Sequence, residues 1–181
     1  CGAGLFLRRL RHHSFAGRLQ GCDVSAEMLA EAAKAWTSGP RPPLDHFLPP
    51  QLPYADRQFD IVVASAVLHH VPPAEREPVY REIARVLAPG GRFYVFEHNP
   101  LNPLTQWVVR HTPIDRHAIL LHSGDVKRGM TRSGLARPRS RWLMFVPPRW
   151  QTLASLEHWL AWLPLGGQYA VTGEKPTGEK I

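Results

Sequence analysis

The sequence is poor in cysteine and lysine and contains no long apolar run. Two Cys in 181 residues cannot build a disulfide framework, and neither belongs to a Cys-x-x-Cys pair that would offer a metal knuckle. No apolar stretch approaches the roughly 20 residues of a membrane-spanning helix, and no signal-peptide pattern opens the chain. Pro (18) and Gly (14) are plentiful but follow no period, which excludes collagen and simple repeats. Only four Lys accompany 18 Arg, so the net charge of +7 rests on Arg scattered from Arg8 to Arg149. Scattered charge of this kind is weak support for a nucleic-acid surface, and no nucleic acid is expected as partner. There is no initiator Met either. The chain opens on Cys1-Gly2-Ala3-Gly4, a glycine-rich turn with no strand ahead of it, and is expected to be the remainder of a longer sequence.

What is present, 44% hydrophobic and 20% charged residues, suits one soluble, cytoplasmic, globular domain. That domain is expected over residues 1–172, with a polar tail over 173–181. After the glycine turn, residues 5–11 read as a short helix and 18–24 as a strand ending on Asp23. Ser25 is placed to cap a helix whose buried stripe is Met28, Leu29, Ala32, Ala33 and Trp36. Pro- and Gly-rich loops follow, with room for a short strand between them. Residues 59–68 form an apolar, β-branched run, the pattern of a strand buried on both faces. A helix over 73–87, with Val79, Tyr80, Ile83, Val86 and Leu87 inward, is ended by Pro89-Gly90-Gly91, and a strand follows over 92–97. Residues 100–121 read as a lid-like insertion and 123–135 as a helix. Residues 132–141 form an Arg-bearing broken loop. A strand (141–146), a helix (153–163) and a final strand (168–172) complete the chain. Strands alternating with helices predict an open α/β sheet.

The glycine turn lets a ligand approach the backbone closely, and the helix after it presents unpaired N–H groups. An acidic residue about 20 positions on, at the end of the next strand, can accept both hydroxyls of a ribose. Gly2, Ala3, Gly4 and Asp23 therefore read as a site for a nucleoside-containing cofactor.

Cys1-Gly2-Ala3-Gly4 resembles the end of the first motif of class I S-adenosylmethionine-dependent methyltransferases, and Gly21 to Met28-Leu29 their second. Leu52-Pro53-Tyr54, Phe59-Asp60-Ile61-Val62 and Leu68-His69-His70-Val71 are similar to the fourth-strand motif of the methyltransferase type 11 group. Arg85 to Gly91 matches the helix-to-fifth-strand signature. The resemblance implies a Rossmann-like class I sheet with its last strand antiparallel, its first strand missing from this chain, binding S-adenosyl-L-methionine. It implies that Gly2, Ala3 and Gly4 lie beside the methionine and ribose portions. Asp23 would bind the ribose hydroxyls, Val24 and Met28 would pack near the adenine, and Ser65 and Ala66 would border the methionine. Where the family carries an acid for the adenine amine, this sequence has His46-Phe47-Leu48, with Asp45 earlier.

Methyl transfer asks mainly for alignment, and a base only when the acceptor has a proton to lose. His98, after Glu97 on the fifth strand of the family pattern, is the acceptor-side candidate, with Asn99 as a polar contact. His69 and His70 read as packing or helix-entry residues. The ten His lack the i, i+4 spacing with an acid of a helical zinc site, so no metal is expected. Trp159, Leu160, Trp162, Leu163 and Leu165 form either core beneath the last strands or a docking face for a lipid-like acceptor or membrane. The leading expectation is thus methyl transfer to a small-molecule or lipid-linked acceptor. The rivals are a non-catalytic binding module and an NAD-type enzyme, the latter disfavoured by the missing third glycine.

Overall fold

In the computed structural model, Gly4 adopts a left-handed conformation (φ 72°), and helix α1, Leu5–His12, starts directly after it. The structure describes residues 1–37, 39–115, 118–146 and 155–178. Two compact units are present, Cys1–Tyr54 and Ala55–Ile181.

In the first unit, strand β1 (Gly21–Asp23) leads into α2 (Ala26–Lys34), and β2 (Leu44–His46) lies parallel to β1. Ser25 caps α2 as expected, its hydroxyl accepting from Met28 N at 3.1 Å. Leu29 and Ala32 are buried, while Met28 and Ala33 are half-buried and Trp36 lies beyond the helix end. The strand is shorter than its apolar pattern because Pro43 O meets Gly21 N, where the pairing begins.

The second unit carries β3 (Phe59–Ser65), a 3₁₀ turn (Leu68–His70), α3 (Arg76–Val86) and β4 (Leu87–His98). Then come α4 (Pro103–His111), a 3₁₀ turn (Pro113–Asp115) and α5 (Ser123–Arg132). Strand β5 (Ala136–Leu143), α6 (Ser155–Leu160) and β6 (Gln168–Glu174) follow. The sheet order is β3-β4-β6-β5. β3 and β4 are parallel, and β6, the last strand, is antiparallel to both its neighbours. On one face Phe93, Val95, Glu97, Tyr169 and Val171 are buried, with Tyr80, Ile83 and Val86 of α3 and Val126 and Met130 of α5. Tyr80 and Phe93 meet edge to face at 6.4 Å.

Several elements depart from the sequence pattern for identifiable reasons. β3 is an outer strand of its sheet, so Ile61 and Ser65 are exposed and burial on both faces is not realised. Pro89-Gly90-Gly91 does not stop a helix. α3 ends at Val86, and the three residues form a register shift inside β4, between the Phe59–Leu87 and Ile61–Arg92 pairs. The insertion after residue 100 contains a regular helix, with Pro103 in its first turn and Asn102 Oδ1 accepting from Thr105 N at 3.0 Å. β5 begins at Ala136, so Arg137, Arg139 and Arg141 belong to a strand, all exposed at alternate positions, rather than to a loop. β6 continues through Gly173 and Glu174, past the expected tail boundary. Beyond it Lys175 N donates to Gly91 O, and Lys175 Nζ reaches the carbonyls of Ala84, Arg85 and Leu87 at 2.7, 3.4 and 2.7 Å. The expected helix over 153–163 begins on residues outside those described. Among the described residues, no helix is long and apolar enough to cross a membrane.

Candidate functional site

At the end of β1 the Asp23 carboxylate is fixed by backbone donors. Gly2 N donates to Oδ2 at 2.7 Å, the Cys1 nitrogen to the same oxygen at 2.8 Å, and Ser25 N to Oδ1 at 3.1 Å. A carboxylate has about four acceptor positions, so Oδ1 retains one for a further donor. Burial raises the Asp23 pKa, but the hydrogen bonds from Cys1, Gly2 and Ser25 outweigh it and hold the value below the ordinary range. Gly2 (φ 53°) and Gly4 are both left-handed, and a β-carbon on Gly4 would stand 3.0 Å from Ala32 Cβ. α1 has no capping side chain, so its first N–H groups face outward from the turn. Ala3 lies within this turn, Met28 Cε is 3.8 Å from where a Gly2 β-carbon would be, and Val24 is exposed. Asp45 pairs with Cys22 and His46 with Asp23, while His46 Nε2 lies 3.0 Å from Val24 O.

In the second unit, Ser65 is exposed at the carboxyl end of β3. Ala66 is held at φ 54° by a hydrogen bond from its N–H to Phe96 O at 2.8 Å. The turn that follows is pinned by a buried acid. Glu97 Oε1 accepts from Val67 N (3.1 Å) and Leu68 N (2.7 Å), and Oε2 accepts from His69 Nδ1 at 2.5 Å. His69 is buried, and its ring stands 4.2 Å from that of His70 and 5.3 Å from that of His98. Asp115 Oδ1 lies 3.4 Å from the Nε2 atoms of both His69 and His70. Burial lowers the His69 pKa, but the hydrogen bond and charge of Glu97, joined by Asp115, raise it above its usual value. Burial and the adjacent His69 lower both His70 and His98.

His98 is half-buried at the end of β4, as the strand assignment requires. Asn99 is spoken for: its amide donates to Pro164 O and Gly166 O and its oxygen accepts from Leu101 N, which corrects its reading as a substrate contact. Trp159 and Trp162 are 75% and 72% exposed, so the core reading of that patch does not hold. Sequence reasoning assigned no role to Glu97 or Asp115. The signal for Glu97 was available, because it continues the period-2 inward face of Phe93 and Val95. Asp115 carried none, since only the tertiary path brings it to the histidines.

The type 11 methyltransferase-domain family matches residues 1–95, more than half of the sequence. The chain belongs to that family. Membership implies S-adenosyl-L-methionine as the methyl donor. The glycine turn, the spare acceptor position of Asp23 and the uncapped start of α1 fit a ligand that carries both ribose and carboxylate groups. Among curated relatives, 27-O-demethylrifamycin SV methyltransferase of Amycolatopsis mediterranei is 55% identical over 42 residues, 23% of this chain and 15% of that protein. An uncharacterized methyltransferase of Synechocystis is 32% identical over 83 residues, 45% and 38% of the two chains. The chain thus matches well under half the length of these relatives. Among solved structures, an S-adenosylmethionine-dependent methyltransferase of Thermotoga maritima superposes with a TM-score of 0.71 at 18% identity, over 96% of this chain and 78% of that one. The methyltransferase complex with the Haloferax volcanii Trm112 activator gives 0.70 at 21%, over 99% and 81%. These likenesses establish the class I methyltransferase fold.

Proposed function

We propose that this chain transfers a methyl group from S-adenosyl-L-methionine to a small-molecule or lipid-linked acceptor. The observation that carries the reading is Asp23, a carboxylate pre-oriented by Gly2 and Ser25 N–H groups with one acceptor position left over. Asp23 accepts from a ribose hydroxyl through that remaining position. Gly2, Ala3 and Gly4 keep the backbone open to the ligand, and Val24 and Met28 offer apolar surface to the adenine. Ser65 and Ala66 are assigned to the methionine portion. When bound, the donor supplies an activated methyl group, so alignment and exclusion of water dominate the work left to the protein. His98 takes the acceptor's proton, because burial and the neighbouring His69 hold its pKa below the ordinary histidine value. The local match to a rifamycin methyltransferase supports a small-molecule acceptor. The exposed Trp159 and Trp162 support contact with a lipid-linked one or with a membrane surface.

Calorimetric titration of S-adenosylmethionine into the full chain tests the reading. Saturable binding, weakened at least tenfold by Asp23→Ala, is expected. Equal affinities for the two proteins would remove the ribose assignment. His98→Ala should lower kcat roughly a hundredfold if it is the base, with cofactor affinity unchanged. A second reading, a non-catalytic binding module, draws on a cavity of about 440 Å³ whose lining includes Arg92, Arg137, Arg139 and Arg141. Salt-sensitive retention of a polyanion with no cofactor uptake would favour that module.

A further inference from the structure

The Nε2 atom of His69 is buried and has no hydrogen-bond partner among the described residues. The other ring nitrogen faces Glu97, a carboxylate that already accepts two backbone N–H groups, so the proton of a neutral ring belongs on Nδ1. Nε2 is then a lone pair sealed from water, an arrangement that costs stability unless something occupies it. It points toward Asp115 Oδ1 at 3.4 Å, and His70 Nε2 stands at the same distance from the same oxygen. These separations exceed the 2.7–3.2 Å of an N–H···O bond. They equal the edge of a tetrahedron: two ligands about 2.0–2.1 Å from a zinc ion lie roughly 3.4 Å apart.

We propose that His69 Nε2, His70 Nε2 and Asp115 Oδ1 form a binding site for a divalent zinc-class cation. The three donor atoms lie within 4.8 Å of one another. Two imidazoles and one carboxylate suit a borderline-soft ion and leave the fourth tetrahedral position to water or another oxygen ligand. Glu97 supplies the partner that metal-binding histidines characteristically have, fixing the ring orientation through the opposite nitrogen. The scaffold around the donors is tied independently of them. Ile119 N donates to His69 O at 2.9 Å, and Arg76 bridges Val71 O and Ile119 O at 2.9 and 2.8 Å. The His70 side chain is 42% exposed and gives the ion a path from solvent. The sequence offered no such site because its acidic donor comes from a distant turn rather than from one helix. The proposal does not rest on the methyl-transfer reading, since its three protein donors belong to this chain and need no bound cofactor.

The test is titration of zinc chloride into the full chain after dialysis against a chelator, followed by calorimetry. Cobalt(II) serves as the optical probe. One equivalent of tight binding with a tetrahedral cobalt spectrum is expected. His70→Ala and Asp115→Asn should each weaken it at least tenfold while keeping the far-ultraviolet circular dichroism of the parent. A His12→Ala/His13→Ala variant controls for exposed imidazoles and should bind as the parent does. Absence of stoichiometric binding, or binding that survives both ligand variants, would overturn the proposal. His69→Gln is left aside because its burial ties it to folding.

Discussion

Asp23 and Glu97 do the same local task in two different settings. Each is an acid at the carboxyl end of a strand, and each accepts two backbone N–H groups: Gly2 of the glycine turn and Ser25 at the start of α2 for one, Val67 and Leu68 of a single turn for the other. Asp23 is 20% exposed and keeps an acceptor position, whereas Glu97 is buried and its second oxygen is taken by His69. The difference in burial divides their roles. A part-exposed, pre-oriented carboxylate is available to a ligand, while a buried and satisfied one positions other groups.

Substitutions can break that contrast, beginning with the strongest. Glu97→Ala strands two backbone donors and a buried imidazole, and should cost about 3–5 kcal/mol in urea unfolding, the scale for breaking a buried ionic pair. If it cost no more than Asp23→Ala, the contrast would collapse. Gly4→Ala puts a β-carbon into a left-handed turn and close to Ala32, for roughly 1–3 kcal/mol. Asp23→Ala should cost about 1–2 kcal/mol in stability, because water can reach the freed N–H groups, and should show its main effect on cofactor affinity. Ser25→Ala removes the α2 cap for about 1 kcal/mol, read as a lowered melting temperature. Arg81→Ala breaks the 3.1 Å pair with Glu77 on the exposed face of α3. Its effect should stay within about 0.5 kcal/mol and vanish at high salt.

The same contrast explains what could be read from the sequence. The first unit is built from local rules: a glycine pair, an acid at a strand end and a serine three residues before the amide it caps. Those signals lie along the chain, and the structure realises them as backbone geometry. The alternation of strands and helices likewise carried the α/β class, while the antiparallel last strand was implied by the family resemblance. What escaped was set by neighbours far apart in sequence. Pro89-Gly90-Gly91 carries the dipeptide chemistry of a helix stop, yet it lies inside a strand as the irregularity between the Leu87 and Arg92 pairings with β3. The tryptophans read equally well as core or as surface, because apolarity alone does not say whether anything covers them. Asp115 meets His69 and His70 only through the path of the intervening chain.

Lys175 turns one contact into a matter of timing. The carbonyls of Ala84, Arg85 and Leu87 at the end of α3 are synthesised about 90 residues before the ammonium group that satisfies them. Until Lys175 leaves the ribosome those acceptors must be hydrated, and the end of α3 cannot be sealed as it is in the finished fold. A chain ending at residue 172 lacks the ammonium group that these carbonyls meet. The second unit thus takes this closing contact from the segment first read as a polar tail.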